Sequence, residues 1–150
     1  MQKVIIKNLT ALEKFAEEFA VTLVGGDVIG LVGDLGAGKT TFVQMLAKQL
    51  GVEEAVKSPT FILMQAFATD ARAQKRGVAR ICHVDAYRLE SWTELKTIGF
   101  EEYAGDGTTV TFVEWADRVP EVQLLRPYTE LTFGFEADDS RTIVIEKHQA

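Results

Sequence analysis

The stretch Val28-Ile29-Gly30-Leu31-Val32-Gly33-Asp34-Leu35-Gly36-Ala37-Gly38-Lys39-Thr40 decides the fold. Its first five residues form a short apolar run of the type buried on both faces of a sheet, and residues 39–50 carry a helical pattern. Between them, Gly33 to Thr40 satisfies the Walker A pattern G-x-x-x-x-G-K-[ST], in the strand-turn-helix setting that a phosphate loop requires. Glycine permits backbone angles that turn successive amides inward, and the helix behind presents its positive end, so the loop reads as an anion cradle. Lys39 adds a movable charge for the β- and γ-phosphates, and the Thr40 hydroxyl is placed to ligate Mg²⁺. Thr41, one residue further on, offers an amide or hydroxyl to an inner phosphate. The nucleotide-binding candidates are therefore Gly33, Asp34, Leu35, Gly36, Ala37, Gly38, Lys39, Thr40 and Thr41.

Upstream, residues 4–6 read as a strand, and Thr10 with Glu13 gives a capping-box spacing that opens a helix. Leu12, Phe15, Ala16, Phe19 and Leu23 recur at helical spacing as its buried face. Gly25 and Gly26 close it. Downstream, residues 61–67 and 78–84 read as strands separated by a polar, basic stretch. Ser91 and Glu94 mark another helix start, with a stop near Gly99. Residues 108–113 form a β-branched strand, and residues 131–135 with 142–145 resemble a hairpin turning at Asp138-Asp139. Strands interleaved with helices predict one α/β domain over residues 1–150, P-loop NTPase-like, with a mixed, mostly parallel sheet flanked by helices and antiparallel strands at the edges.

In open α/β sheets ligands sit beyond the carboxyl ends of the strands, so an acid closing an apolar strand is a candidate for magnesium or water. Glu114 follows Thr109-Val110-Thr111-Phe112-Val113, and Asp85 follows Ile81-Cys82-His83-Val84. One would hold the metal with Thr40, and the other would orient or deprotonate the attacking water. His83 shares the sheet face of Asp85 by its spacing and reads as a satisfied core histidine. Arg88 and Arg118 are candidates for stabilising a transferring phosphate or for surface ion pairs. Trp115 either covers a ligand or packs a core. Ser58-Pro59-Thr60-Phe61 is either a nucleotide-sensing switch or a rigid turn. No Asn-Lys-x-Asp segment is present, which by analogy favours ATP over GTP.

Composition limits the partners. Sixteen Lys and Arg against 22 Asp and Glu give a net charge of −6, which argues against unaided binding of nucleic acid, DNA included, because such affinity comes from cations replacing phosphate counterions. With 47% hydrophobic and 25% charged residues the chain has the balance of a globular protein. A single cysteine, Cys82, excludes an internal disulfide and points to a reducing cytoplasm. No run approaches the roughly 18 apolar residues of a membrane span, and Lys3 and Lys7 interrupt any signal-peptide core.

Taken in order, Gly33 to Thr41, then Ser58-Pro59-Thr60-Phe61, then His83-Val84-Asp85-Ala86-Tyr87-Arg88-Leu89, then Glu114-Trp115 resemble the bacterial TsaE family, small ATPases of tRNA threonylcarbamoyladenosine biosynthesis. The resemblance implies an ATP hydrolase that is slow alone and works with TsaD and TsaB, supporting modification of the adenosine beside the tRNA anticodon without performing the transfer itself. It implies ATP and Mg²⁺ as cofactors, with tRNA reached through the complex. By position, Lys39, Asp85 and Glu114 would be the catalytic residues, and Thr40 and Glu114 the metal ligands. Segments 58–61 and 83–88 would be switches reporting nucleotide state. Arg141 resembles an arginine some relatives place near the nucleotide, and is otherwise a surface charge. One departure is the stretch 69–80, longer and more basic than the family's usual turn through Arg72, Lys75, Arg76 and Arg80. It reads as a solvated hairpin, a contact for tRNA or a partner, or the lid of a small-molecule kinase. That kinase, acting on a nucleoside or metabolite, is the rival enzyme reading. A nucleotide-dependent assembly switch is the third.

Overall fold

The computed structural model describes residues 1–34, 36–54, 56, 63–125 and 127–148. Seven strands form one sheet: β1 (Gln2–Ile6), β2 (Val28–Val32), β3 (Met64–Ala68), β4 (Arg80–Asp85), β5 (Thr109–Glu114), β6 (Tyr128–Phe135) and β7 (Arg141–His148), in the order β1-β7-β6-β2-β5-β4-β3. The four central strands β6, β2, β5 and β4 run parallel, whereas β1, β7 and β3 pair antiparallel at the two sides. This is the expected architecture. Of the antiparallel pairs, β6–β7 is a hairpin with a short connection, in which Asp139 takes a left-handed turn conformation.

Among the described residues five helices flank the sheet: α1 (Leu9–Ala20), α2 (Lys39–Gln49), α3 (Ala71–Lys75), α4 (Trp92–Thr97) and α5 (Phe100–Ala104). One face of the sheet packs against α1 and α2, where Leu12, Ala16, Phe19, Phe42, Val43 and Leu46 meet Ile29, Leu31, Ile81 and Phe112. The other face is covered by α4, α5 and two 3-10 turns (Ala116–Arg118 and Pro120–Leu124), through Leu95, Phe100, Ala116 and Val122 on Val84, Val113 and Tyr128. Alternate residues of each central strand feed these two cores, which explains why the strands read as unbroken apolar runs.

Several boundaries differ from the sequence reading. Helix α1 starts earlier than the Thr10 signature, because the Asn8 side chain accepts from the Ala11 amide at 2.8 Å and caps it. It also ends at Ala20, well before Gly25: the Thr22 hydroxyl captures the Phe19 carbonyl, and Arg76 Nη2 donates to the Ala20 carbonyl at 3.1 Å. The basic stretch is not a bare hairpin. Asp70 caps the short helix α3 by accepting from Ala73, and Arg76 at its end secures the C-terminus of α1. Arg80 is paired with Asp106 at 2.7 Å. The next described strand opens at Met64, and the expected start at Phe61 lies outside the described residues. Among the described residues no helix is long and apolar enough to cross a membrane.

Gly30, at the middle of β2, is required by close approach: an added Cβ would lie 1.9 Å from the Tyr128 hydroxyl and 2.7 Å from its ring. Tyr128 is wholly buried and cannot swing into solvent without opening the core. Gly30→Val is therefore expected to lower unfolding stability by about 2 kcal/mol or more, read as a shifted urea midpoint. An unchanged midpoint would show that the strand and the tyrosine are not packed this way.

Candidate nucleotide and metal site

Because β2, β4 and β5 are parallel, their carboxyl ends emerge at one edge, and that edge gathers the loop after Val32, Asp85 and Glu114. Asp85 and Glu114 are directly paired across β4 and β5. The loop depends on glycine at its first position. Gly33 has φ +145°, and a Cβ there would fall 2.5 Å from the Phe133 carbonyl oxygen of β6. Gly38 stands at the N-cap of α2 and supplies no side-chain cap, so the first amides of that helix remain for a ligand.

Lys39 is only 5% exposed. Its ammonium donates to the carbonyl of Gly33 and, at 3.0 Å, to that of Asp34, and it sits 4.1 Å from the centre of the Trp115 ring. Burial lowers its pKa below the usual lysine value, while Glu114, Asp117, Asp34 and Asp85 pull it back up. A desolvated cation of this kind is suited to an anion that replaces its missing water. Trp115 reaches the ammonium from an uncommon left-handed backbone, φ 59°, and its ring also meets Tyr87 at 4.9 Å.

Glu114 is 3% exposed. The Thr40 hydroxyl lies 2.7 Å from its Oε1 and 2.9 Å from its Oε2, and His83 Nε2 lies 2.5 Å from Oε2. Thr40 and Glu114, separated by 74 positions, are thus brought into contact. Asp85 does not touch them. Its Oδ1 accepts from the Tyr87 amide at 2.9 Å, and burial raises its carboxyl pKa above the ordinary aspartate value, with Glu114 adding to the rise.

Two clefts meet at the loop. The first, about 180 Å³, is lined by Gly36, Gly38, Lys39, Thr40, Thr41, Asp85, Glu114 and Trp115. The second, about 340 Å³, shares Gly36, Gly38 and Thr41 and continues past Ala37 to Ile6, Leu9, Leu12 and Arg141. Arg141 donates to the Asp139 carbonyl and lies over the Phe135 ring, so it borders the second cleft and not the first. Arg118 instead stacks on Tyr87, and Arg88 lines a separate groove with Leu63 and Leu89. Leu35 and the segment 58–61 lie outside the described residues. Cys82 is buried in β4, its thiol pKa pushed up to about 12 by burial, and plays no part in the cleft. The sequence reading missed the contact between His83 and Glu114. Its one available signal was that His83 shares a sheet face with Asp85, and hence with the residues across β5.

Comparison with known proteins bears on the same region. The family model described as threonylcarbamoyl adenosine biosynthesis protein TsaE matches residues 6–143. The tRNA threonylcarbamoyladenosine biosynthesis protein TsaE of Aquifex aeolicus is 39% identical over 120 residues, 79% of this chain and 79% of that protein. The protein of the same name from Bacillus subtilis is 38% identical over 133 residues, 89% of this chain and 75% of that one. The crystal structure of Bacillus subtilis YdiB superposes with a TM-score of 0.73 at 30% identity, covering 96% of this chain and 83% of that one.

The raised pKa of Asp85 has a consequence for stability. A folded carboxyl that holds its proton more tightly than the unfolded one binds more protons from about pH 3.8 upward, so folding stability falls as pH rises through that window. Asp85→Asn removes the penalty while keeping an acceptor for the Tyr87 amide. The variant should be more stable than wild type at pH 7, with the gap closing below about pH 4. Urea midpoints at the two pH values check this, and a gap independent of pH would contradict it.

Proposed function

This chain belongs to the TsaE family of threonylcarbamoyl adenosine biosynthesis proteins, and on that premise we propose that it binds Mg·ATP at the phosphate loop and hydrolyses it in support of tRNA threonylcarbamoyladenosine formation. The observation that carries the reading is the buried contact of Thr40 with Glu114 beside the desolvated ammonium of Lys39. The donor chemistry fits Mg²⁺. A hydroxyl and a carboxylate are hard oxygen ligands, and two of them from the protein suit an ion that keeps waters and takes phosphate oxygens for the rest. When bound, Mg²⁺ would neutralise phosphate oxygens and hold them in place.

The loop amides from Gly33 to Thr41 and the first turn of α2 would receive the phosphates, with Lys39 moving from the Gly33 and Asp34 carbonyls to the β- and γ-oxygens. The larger cleft adjoins the phosphate site through Gly36, Gly38 and Thr41, and its apolar wall of Ile6, Leu9 and Leu12 suits a purine, with Arg141 at its border. Asp85, at the edge of the smaller cleft with a raised proton affinity, is the group to orient the attacking water and take its proton. Trp115 lies over Lys39 and would shield that charge from solvent.

Among the described residues lining the smaller cleft, Lys39 is the sole cation. Neither Arg88 nor Arg118 reaches it, so hydrolysis by the chain alone should be slow, and a partner would supply or arrange the missing stabilisation of transferring phosphate. TsaD and TsaB are the proposed partners, in the cytoplasm. The net charge of −6 favours reaching tRNA through them.

Phosphate release measured with and without those two proteins tests the reading. Release should rise on their addition and should go to water and not to an added nucleoside acceptor; equal rates would contradict it. Lys39→Ala should weaken nucleotide binding by calorimetry about tenfold or more, and Glu114→Gln should reduce assisted turnover about 100-fold with a loss of magnesium dependence. Glu114→Gln with a normal magnesium response would remove Glu114 from the metal.

A further inference from the structure

The two oxygens of Glu114 are not equivalent. Strand β4 sets His83 opposite Phe112 of β5, so His83 lies on the same face as Glu114 and diagonal to it. The His83 ring is wholly buried, with Nε2 2.5 Å from Oε2. Glu114 read as a metal-ligating carboxylate only accepts, which puts the hydrogen on Nε2. Among the described residues Nδ1, which is buried, has no hydrogen-bond partner, and Glu114 is the ring's one polar anchor. The Thr40 hydroxyl is shared, 2.7 Å from Oε1 and 2.9 Å from Oε2, and is a rotor that can turn its hydrogen away and offer its own lone pairs beside Oε1. Oε2 is therefore tied to an immobile ring as well as to the hydroxyl, whereas Oε1 meets the rotatable hydroxyl.

We propose that His83 is a positioning residue that restricts Glu114 to a single free oxygen and thereby sets a preference for Mg²⁺ over Ca²⁺ at the Thr40–Glu114 pair. The inference rests on the reading of this pair as the metal-binding part of an ATP site. Mg²⁺ demands near-octahedral geometry at short distances, whereas Ca²⁺ accepts more oxygens, longer distances and carboxylates bound through both oxygens. A Glu114 whose Oε2 is held by a buried N–H can give its second oxygen to an ion only by breaking a charge-assisted hydrogen bond and stranding the donor in the core. The sheet enforces this. His83 cannot follow the carboxylate, because its backbone is paired with both β3 and β5. The arrangement is that of an outer partner orienting a ligand, and removal of such partners generally costs 10- to 100-fold in metal affinity.

Calorimetry of the full chain with an ATP analogue blocked at the β–γ bridge, in Mg²⁺ and separately in Ca²⁺, provides the test. His83→Leu keeps bulk and loses the N–H; His83→Gln returns an N–H near the position of Nε2. The wild type should bind the Mg²⁺ form more tightly. His83→Leu should lower the Mg²⁺ to Ca²⁺ affinity ratio about tenfold or more, and His83→Gln should recover most of it. A loss of packing alone would weaken both metals together. The same ratio in wild type and His83→Leu would overturn the proposal while leaving the ATP reading intact, whereas a wild type that binds the analogue with neither metal would overturn both. An independent arm needs no metal: the chain has two histidines, and the ring ¹⁵N spectrum of metal-free wild type should show His83 protonated at Nε2. A bare Nε2 would overturn the proposal directly.

Discussion

A polar side chain placed out of reach of water is costly unless hydrogen-bond partners meet it. Glu114, at the carboxyl end of a strand with every residue buried, is under that constraint, and it is answered from two directions by Thr40 and His83. The first donor belongs to the opening turn of α2 and the second to β4, so one side chain of β5 joins the helix behind the phosphate loop to two neighbouring strands. Apolar packing brings α2 to the sheet: Phe42, Val43 and Leu46 lie in the same core as Leu31 and Phe112. Packing alone is non-directional. The hydrogen bonds to Glu114 fix how far along the sheet the helix sits, and with it the position of Lys39 and the loop.

Strand direction explains why the site lies at this edge. Four adjacent parallel strands deliver the loop after β2 and the terminal acids of β4 and β5 together, with β2 and β5 hydrogen-bonded neighbours. The antiparallel additions on either side extend the sheet without occupying that edge from the middle. The β6–β7 hairpin contributes instead through its end, where Phe133 crowds Gly33 and Arg141 borders the second cleft. A phosphate loop, two acids and an apolar recess thus result from strand order plus a small number of close contacts.

What could be read from the sequence follows from how local each requirement is. Gly33, Lys39 and Thr40 answer needs of the loop itself, so their spacing identifies them without a fold. Glu114 and Asp85 were visible because each ends an apolar run. His83 was not, since nothing in its neighbours in sequence separates a core histidine from one paired with an acid 31 positions away. Asn8 was passed over because Thr10 and Glu13 matched a capping spacing, although either residue is a good cap and only the observed contact to Ala11 decides between them. The short helix after Asp70 is below the length at which periodicity can show. Arg76, read only as one cation of the basic stretch 69–80, acts on a carbonyl of α1 that only the tertiary fold brings near it.

The central claim is that the amides of the loop and of the first turn of α2 form the phosphate cradle, with Thr40 and Glu114 answering to the metal. Amide ¹H–¹⁵N shifts of the folded chain, followed through separate additions of Mg²⁺, ATP and both together, test it most directly. The account predicts that ATP moves the amides of Gly36, Gly38, Lys39, Thr40 and Thr41 above all others, and that Mg²⁺ adds a further shift at Thr40 and Glu114 only when ATP is present. Shifts that leave these residues still, or that cluster on the opposite edge of the sheet around Asp27 and Pro127, would contradict it.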